Sequence, residues 1–319
     1  MCKMKQGLLL IGPDMSVRGV GGVTMHVQRL RQCLENAGFD HAFLDYKSVP
    51  VWRMLGEMRR FDLIHLNVSN PVLLFFLVLY CRLLSRKVML TLHGNYGRFD
   101  LVKNWMVRQS LRMATIPVVI NSESYAACRG FNDGMKLIPA FIPPQEDEAL
   151  QDEVIALLGR LRAEGKTIVS TNASNVAYDA SGNEIYGVDF LVRHFLDSED
   201  SALIVSDPSG NYKRRYQDVV SQSVFFIGYP HPYYEVLKRV DCFVRNTSTD
   251  GDALSVKEAM NLGVKVLCTD VVDRPRGVSL FRYCDEASFE MAMKQAGNVA
   301  CDVEDASVRL LQLYHEILS

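Results

Sequence analysis

The chain has 319 residues, with 35 Lys and Arg against 37 Asp and Glu and a formal charge of -2 at neutral pH. Hydrophobic residues make up 48% and charged ones 23%. This is the composition of a folded chain long enough for two medium domains, and it excludes a single small module, a disordered chain and a collagen-like repeat. The balanced charge supplies no global attraction to nucleic acid, so no nucleic-acid partner is expected.

Residues 1–14 combine two lysines with a short apolar run that Gly12 and Pro13 interrupt. The run 7–11 reads as a first strand rather than a signal peptide. A glycine-rich loop, 18–24, follows, and 25–37 places Val27, Leu30 and Leu34 at helical spacing. Strands are expected at 42–44 and 63–66, with a helix over 53–58 between them. The apolar stretch 72–84 contains Arg82 and is shorter than the ~20 apolar residues of a spanning helix, so it reads as a buried helix. Strands at 87–92 and 117–120 continue the βα alternation of a parallel sheet with helices on both faces. Residues 138–152 bring three prolines and an acidic cluster and are placed as the linker. Beyond it a helix at 154–162 and strands at 167–170, 202–206, 224–227, 242–245 and 265–269 form a second such unit. The run 308–318 is an amphipathic helix able to pack back across the linker. The domains are therefore placed at 1–150 and 151–303, with a returning helix at 304–319.

Eight cysteines occur without a CxxC pair or zinc spacing and read as reduced core thiols. Cytoplasmic residence follows, with room for attachment at the inner face of the membrane. Up to residue 150 there are 18 Lys and Arg against 12 Asp and Glu, and beyond it 17 against 25. The basic first domain is either a face for anionic lipid or a phosphorylated acceptor, or a scatter of solvated charge.

The densest chemistry lies at 242–263. A strand, CFVR, meets a polar loop, 246–252, which opens a helix at about 253–262 closed by Gly263. Asp250 and Glu258 are eight positions apart, about 12 Å in helical geometry, which is roughly the span from the sugar of a nucleotide-sugar to its ribose. Between them a helix N-terminus offers unpaired N–H groups and a positive dipole end to a diphosphate.

The segment DGDALSVKEAMNLGVKV resembles the acidic, seven-residue, glutamate motif of family-4 retaining glycosyltransferases, with Asp250 in place of the usual Glu and Ala253 in place of a Gly. With Arg245 ahead and DRPRGV at 273–278 behind, it looks like a branch acting in cell-surface polysaccharide assembly. The resemblance implies an α/β protein of the GT-B fold, two Rossmann-like domains facing each other across a cleft. It further implies that Glu258 binds ribose and Asp250 the donor sugar. Gly251, Asp252 and the amides of Leu254 and Ser255 would complete the donor site. The Gly21-Gly22 loop leading into His26, the Thr91-to-Gly94 strand end and Asn121-Ser-Glu123 would face the cleft. His93 would then stand at the reacting sugar, with Gly21, Gly22 and Asn95 on the acceptor side.

Where the family commonly has an Arg and a Lys on the diphosphate, this chain has Asn172 and Tyr186. Losing two charge-assisted hydrogen bonds costs about 1.5–3 kcal/mol each, so either another cation compensates or activity is poor. Arg245 is the first candidate, with Arg274 or Arg276 beside it.

The implied activity is retaining transfer of a sugar from a UDP- or GDP-linked donor to a glycan or lipid-linked glycan acceptor. Neither a cofactor nor a metal is expected, the Asp250-Gly-Asp252 sequence belonging to the donor motif. A GT-B protein that binds nucleotide-sugar without turnover, and a GT-B epimerase or hydrolase, are the alternatives. The GVGGVT loop lacks the third glycine of a dinucleotide fingerprint, and no P-loop occurs.

Overall fold

Leu8 to Ile11 show how the first sheet forms. Leu8 and Leu10 point to one face and Leu9 and Ile11 to the other, and all four are buried, as a strand covered by helices on both sides requires. The computed structural model describes residues 5–14, 22–179, 181–219, 221–250, 253–297 and 303–319. It divides into two units, one running up to Gln145 and including Glu304–Ser319, the other Glu146–Val303.

In the first unit the order is β1 (Lys5–Gly12), α1 (Gly22–Asn36), β2 (His41–Asp45), α2 (Val51–Met58), β3 (Phe61–Leu66), α3 (Pro71–Leu83), β4 (Lys87–Leu92), α4 (Leu101–Met113), β5 (Ile116–Val119), α5 (Ser122–Cys128) and β6 (Lys136–Leu137). All pairings are parallel, in the order β2-β1-β3-β4-β5-β6. Leu9, Ile11 and Ile64 pack under α2 to α4 through Met54, Met58, Leu74, Leu77 and Leu111. On the opposite face Leu8 and Leu10 meet Val27, Leu30 and Leu34 of α1, together with Leu310 and Tyr314 of the C-terminal helix, Ala306–Leu318. Each such fully buried side chain contributes about 1.5–3 kcal/mol by leaving water. Ala306 N donates to Phe141 O at 2.9 Å, which ties the returning helix to the end of its own unit.

Helix α3 departs from the sequence expectation of a buried helix. Asn70 caps it by accepting from Val72 N and Leu73 N, and Pro71 fills the first turn. Leu74, Leu77, Val78 and Cys81 are buried, but Val72, Phe76 and Leu83 are exposed. A sheet covers only one side of a helix in its outer layer, so an all-apolar helix there leaves an apolar stripe in water.

The second unit runs α6 (Asp152–Ala163), β7 (Thr167–Asn172), α7 (Val188–Phe195), β8 (Ser201–Ser206), α8 (Asn211–Arg215), β9 (Val224–Ile227), α9 (Tyr233–Leu237), β10 (Cys242–Arg245), α10 (Leu254–Asn261), β11 (Lys265–Thr269), β12 (Ser279–Phe281) and α11 (Glu286–Gln295). Its sheet is again wholly parallel, in the order β12-β11-β10-β7-β8-β9. Chain order therefore reverses between β7 and β10, and an open parallel sheet binds ligands at the strand carboxyl ends beside such a reversal.

One cysteine corrects the expectation of core thiols: Cys284 is exposed, at a φ of 50°. Cys33, Cys81, Cys128, Cys242 and Cys268 are buried and unpaired. Among the described residues no helix is long and apolar enough to cross a membrane.

Candidate functional site

The reversal in the second sheet puts Asn172 at the carboxyl end of β7 beside Arg245 at the end of β10. Arg245 Nη1 donates to Asn172 O at 3.4 Å and to Asn172 Oδ1 at 3.3 Å. Its guanidinium lies 5.2 Å from the centre of the Tyr186 ring, and the Tyr186 hydroxyl is 2.9 Å from Ser174 Oγ. Next to Tyr186 the chain turns at Gly187, whose φ is 50°. A Cβ there would sit 2.3 Å from Asn246 Nδ2, and that nitrogen donates to Gly187 O at 2.9 Å. Only glycine permits this approach. The structure thus brings Asn172, Tyr186, Arg245 and Asp250 into one cluster.

Asp250 is held by two arginines. Its carboxylate, expected at the donor sugar, accepts from Arg245 Nε at Oδ2, at 3.1 Å, and from Arg245 Nη2 at Oδ1, at 3.0 Å. Arg274, from the loop after β11, reaches Oδ2 from Nη1 at 2.7 Å. The side chains of Asp250 and Arg274 are 6% and 3% exposed. Burial by itself would raise the Asp250 carboxyl, but the charges and hydrogen bonds of Arg245 and Arg274 outweigh it and hold the group below the ordinary carboxylate range. Arg274 Nε also donates to Thr269 O at 3.0 Å, fixing the guanidinium plane. Arg245 and Arg274 are therefore committed to Asp250, and the triplet retains one net positive charge. Arg276 is exposed on the same loop.

Helix α10 carries the rest of the motif. Ala253 is its N-cap and makes no side-chain cap, and among the described residues no side chain caps the first-turn N–H groups, those of Leu254 and Ser255 among them. Ser255 and Glu258 are buried on the inner side of the helix. Glu258 stands near Tyr233, whose hydroxyl is 3.0 Å from Ser170 Oγ. Burial, with Glu258 adding to it, pushes that phenol up. Gly251 and Asp252 lie outside the described residues.

The residues expected on the acceptor side occupy the carboxyl edge of the first sheet. His93 Nε2 donates to Asn67 Oδ1 at 2.8 Å, which leaves Nδ1 as the lone-pair nitrogen. His26 stands edge-on to the His93 ring, centroids 5.1 Å apart, and its Nδ1 donates to Ala140 O at 2.7 Å. Burial lowers His26 to about 4 and His65 to about 3. It also carries His93 well below the usual value, with His26, His65 and Arg98 adding repulsion. His93 is neutral at physiological pH. Asn95 Nδ2 donates to Glu123 Oε2 at 3.1 Å, and Asn121 Nδ2 donates to Asn95 Oδ1 at 3.0 Å. Gly22 opens α1, and Gly21 lies outside the described residues. Asn67 was not singled out from sequence, because nothing in NVSNP announces a contact with a histidine 26 positions on.

Two parallel six-stranded sheets, each wound with helices in its own unit, define the GT-B fold. Solved structures with this fold are similar over almost the whole chain. HepE of Anabaena, in complex with UDP and glucose, superposes with a TM-score of 0.70 at 12% identity, over 98% of this chain and 99% of that one. MnaA of S. aureus with UDP gives 0.63 at 13%, over 99% and 98%. Sucrose-phosphate synthase of Thermosynechococcus elongatus gives 0.61 at 16%, over 98% and 96%. At these identities the likeness is one of fold. No protein-family model and no curated protein sequence matches the chain.

Proposed function

We propose that the protein is a glycosyltransferase that takes its sugar from a nucleotide diphosphate, UDP or GDP, and transfers it with retention. One observation carries this reading: two guanidinium groups converge on Asp250 where the second sheet reverses, beside the N-terminus of the helix that bears Glu258. A leaving diphosphate gains negative charge as the glycosidic bond breaks. Positive groups fixed in advance stabilise that charge without reorganising. Asp250 is the positioning residue for Arg245 and Arg274, and α10 adds its dipole end and first-turn amides. Glu258 is assigned to the ribose. The leaving diphosphate oxygen takes the acceptor proton on the same face, so no protein nucleophile is required.

The acceptor is a glycan or lipid-linked glycan, in cell-surface polysaccharide assembly on the cytoplasmic side. His93, neutral and held by Asn67, and Asn95, held by Asn121, are the polar groups of the first unit suited to sugar hydroxyls. Neighbours of this fold solved with UDP or UDP-glucose support the donor class. The neutral side chains of Asn172 and Tyr186 favour a second reading, a nucleotide-sugar-binding protein without transfer. Incubation with UDP- and GDP-sugars, following nucleoside diphosphate release with and without glycan acceptors, separates the two. Acceptor-dependent release supports transfer, whereas binding without release supports the second reading.

A further inference from the structure

Helices α2, α3 and α4 pack on one face of the first sheet, and each exposes large apolar side chains. Trp52 on α2 is 76% exposed, Phe76 on α3 56%, and Leu101 and Trp105 on α4 89% and 53%. On α3, Val72, Phe76, Leu79 and Leu83 recur at helical spacing along a single stripe. Phe75 joins the two helices, its ring 5.5 Å from Phe76 and 5.7 Å from Trp105. A contiguous aromatic face in water marks an interaction surface.

Charge identifies what covers it. Residues 51–113 hold ten Lys and Arg against three Asp and Glu. All three acids are taken up internally: Glu57 by Arg60, Asp62 by Arg86 and Asp100 by Lys103. Arg53, Arg82, Arg108 and Arg112 have no carboxylate partner among the described residues, and Arg108 and Arg112 lie over the Phe131 ring. Exposed Trp and Leu on the same three helices as uncompensated Arg suit the boundary of an anionic lipid bilayer, where indole seats at the headgroups and each cation gains from the surface potential.

We infer that this face, centred on Phe76, Leu101 and Trp105, docks the protein onto an anionic bilayer. The inference adds a partner to the proposed activity and stands on the surface alone. The loop after β4 carries Asn95, and six residues on Leu101 opens α4, so the face lies along the chain from the acceptor-side residues.

The chain has two tryptophans, Trp52 and Trp105, both on this face. Trp52→Phe leaves Trp105 as the sole reporter. Mixed with vesicles of phosphatidylcholine containing phosphatidylglycerol, this variant is expected to float with the lipid and shift its emission to the blue. Pure phosphatidylcholine or high salt is expected to weaken binding strongly. Arg108→Gln with Arg112→Gln is expected to lower vesicle affinity about tenfold or more, and Leu101→Ser with Phe76→Ser comparably, with UDP binding unchanged. Equal binding to neutral and anionic vesicles, or none to either, overturns the inference. So does a blue shift that appears on concentrating the protein without lipid, which assigns the face to a second copy. Vesicle and nucleotide titrations are read separately, so failure of one leaves the other standing.

Discussion

Arg245 and Asp250 meet through two parallel hydrogen bonds, at 3.1 and 3.0 Å, and Arg274 closes on the same carboxylate at 2.7 Å. Removing the shared acceptor leaves two guanidinium groups facing each other in a buried place. Asp250→Ala is therefore expected to destabilise the second unit by roughly 3–5 kcal/mol, the usual penalty for an uncompensated buried ion. Urea unfolding followed by circular dichroism measures it. A loss below about 1 kcal/mol would show that the pair carries little energy.

Arg245→Lys keeps the charge but cannot make the two-pronged contact or stack on Tyr186. Nucleoside diphosphate affinity is expected to fall about tenfold or more, with a smaller change in unfolding. Calorimetric titration reads this directly, and unchanged affinity removes Arg245 from the donor site.

The buried histidines of the first unit make its stability depend on pH. The unfolded chain binds a proton at His26 near pH 6.5, whereas the folded chain does so only near 4. Stability from this group is thus complete above about 6.5 and is lost as pH falls toward 4, by roughly 3 kcal/mol. His26→Gln is expected to flatten this fall in unfolding free energy measured between pH 7 and 4. An equally steep fall in the variant contradicts the assignment.

Gly187→Ala forces a Cβ to 2.3 Å from Asn246 Nδ2 at a φ that side chains rarely adopt. Strain of this kind costs about 1–3 kcal/mol, and relief requires the Tyr186 loop to leave the end of β10. Both a lower melting temperature and weaker UDP binding are expected. A variant that keeps both would show that the loop is not tied to the site.

Asp250 is engaged by two guanidinium groups, which is poor company for a divalent cation. Turnover is expected to persist in excess chelator, assayed by sugar transfer. Loss in chelator with recovery on adding manganese would assign the site to metal chemistry.

The parallel alternation was legible in the sequence because buried strands such as 87–92 and 202–206 are short apolar runs bounded by polar turns. Two strands escaped notice, β6 with two residues and β12 with three, since runs so short carry no periodicity. Helix α4 was also missed: Lys103, Asn104, Arg108 and Gln109 dilute its apolar face, and the Asp100 cap was its one clear signal. In the site, Arg245 and Asp250 are five residues apart, and their nearness was visible. Arg274 joins them from 24 residues beyond Asp250, a contact made by the parallel arrangement of β10 and β11 and not by local sequence. For this reason the sequence showed Asp250 as a candidate donor ligand without showing that two arginines share its carboxylate.

The central claim is that the end of the second sheet holds a nucleotide by its diphosphate. Titrating UDP, GDP, uridine and guanosine into the full chain by calorimetry tests it most directly. One of the two diphosphates should bind saturably and at least about tenfold more tightly than its nucleoside, the difference that charge-assisted contacts supply. Binding of neither diphosphate, or a nucleoside that binds as tightly as its diphosphate, would contradict the account.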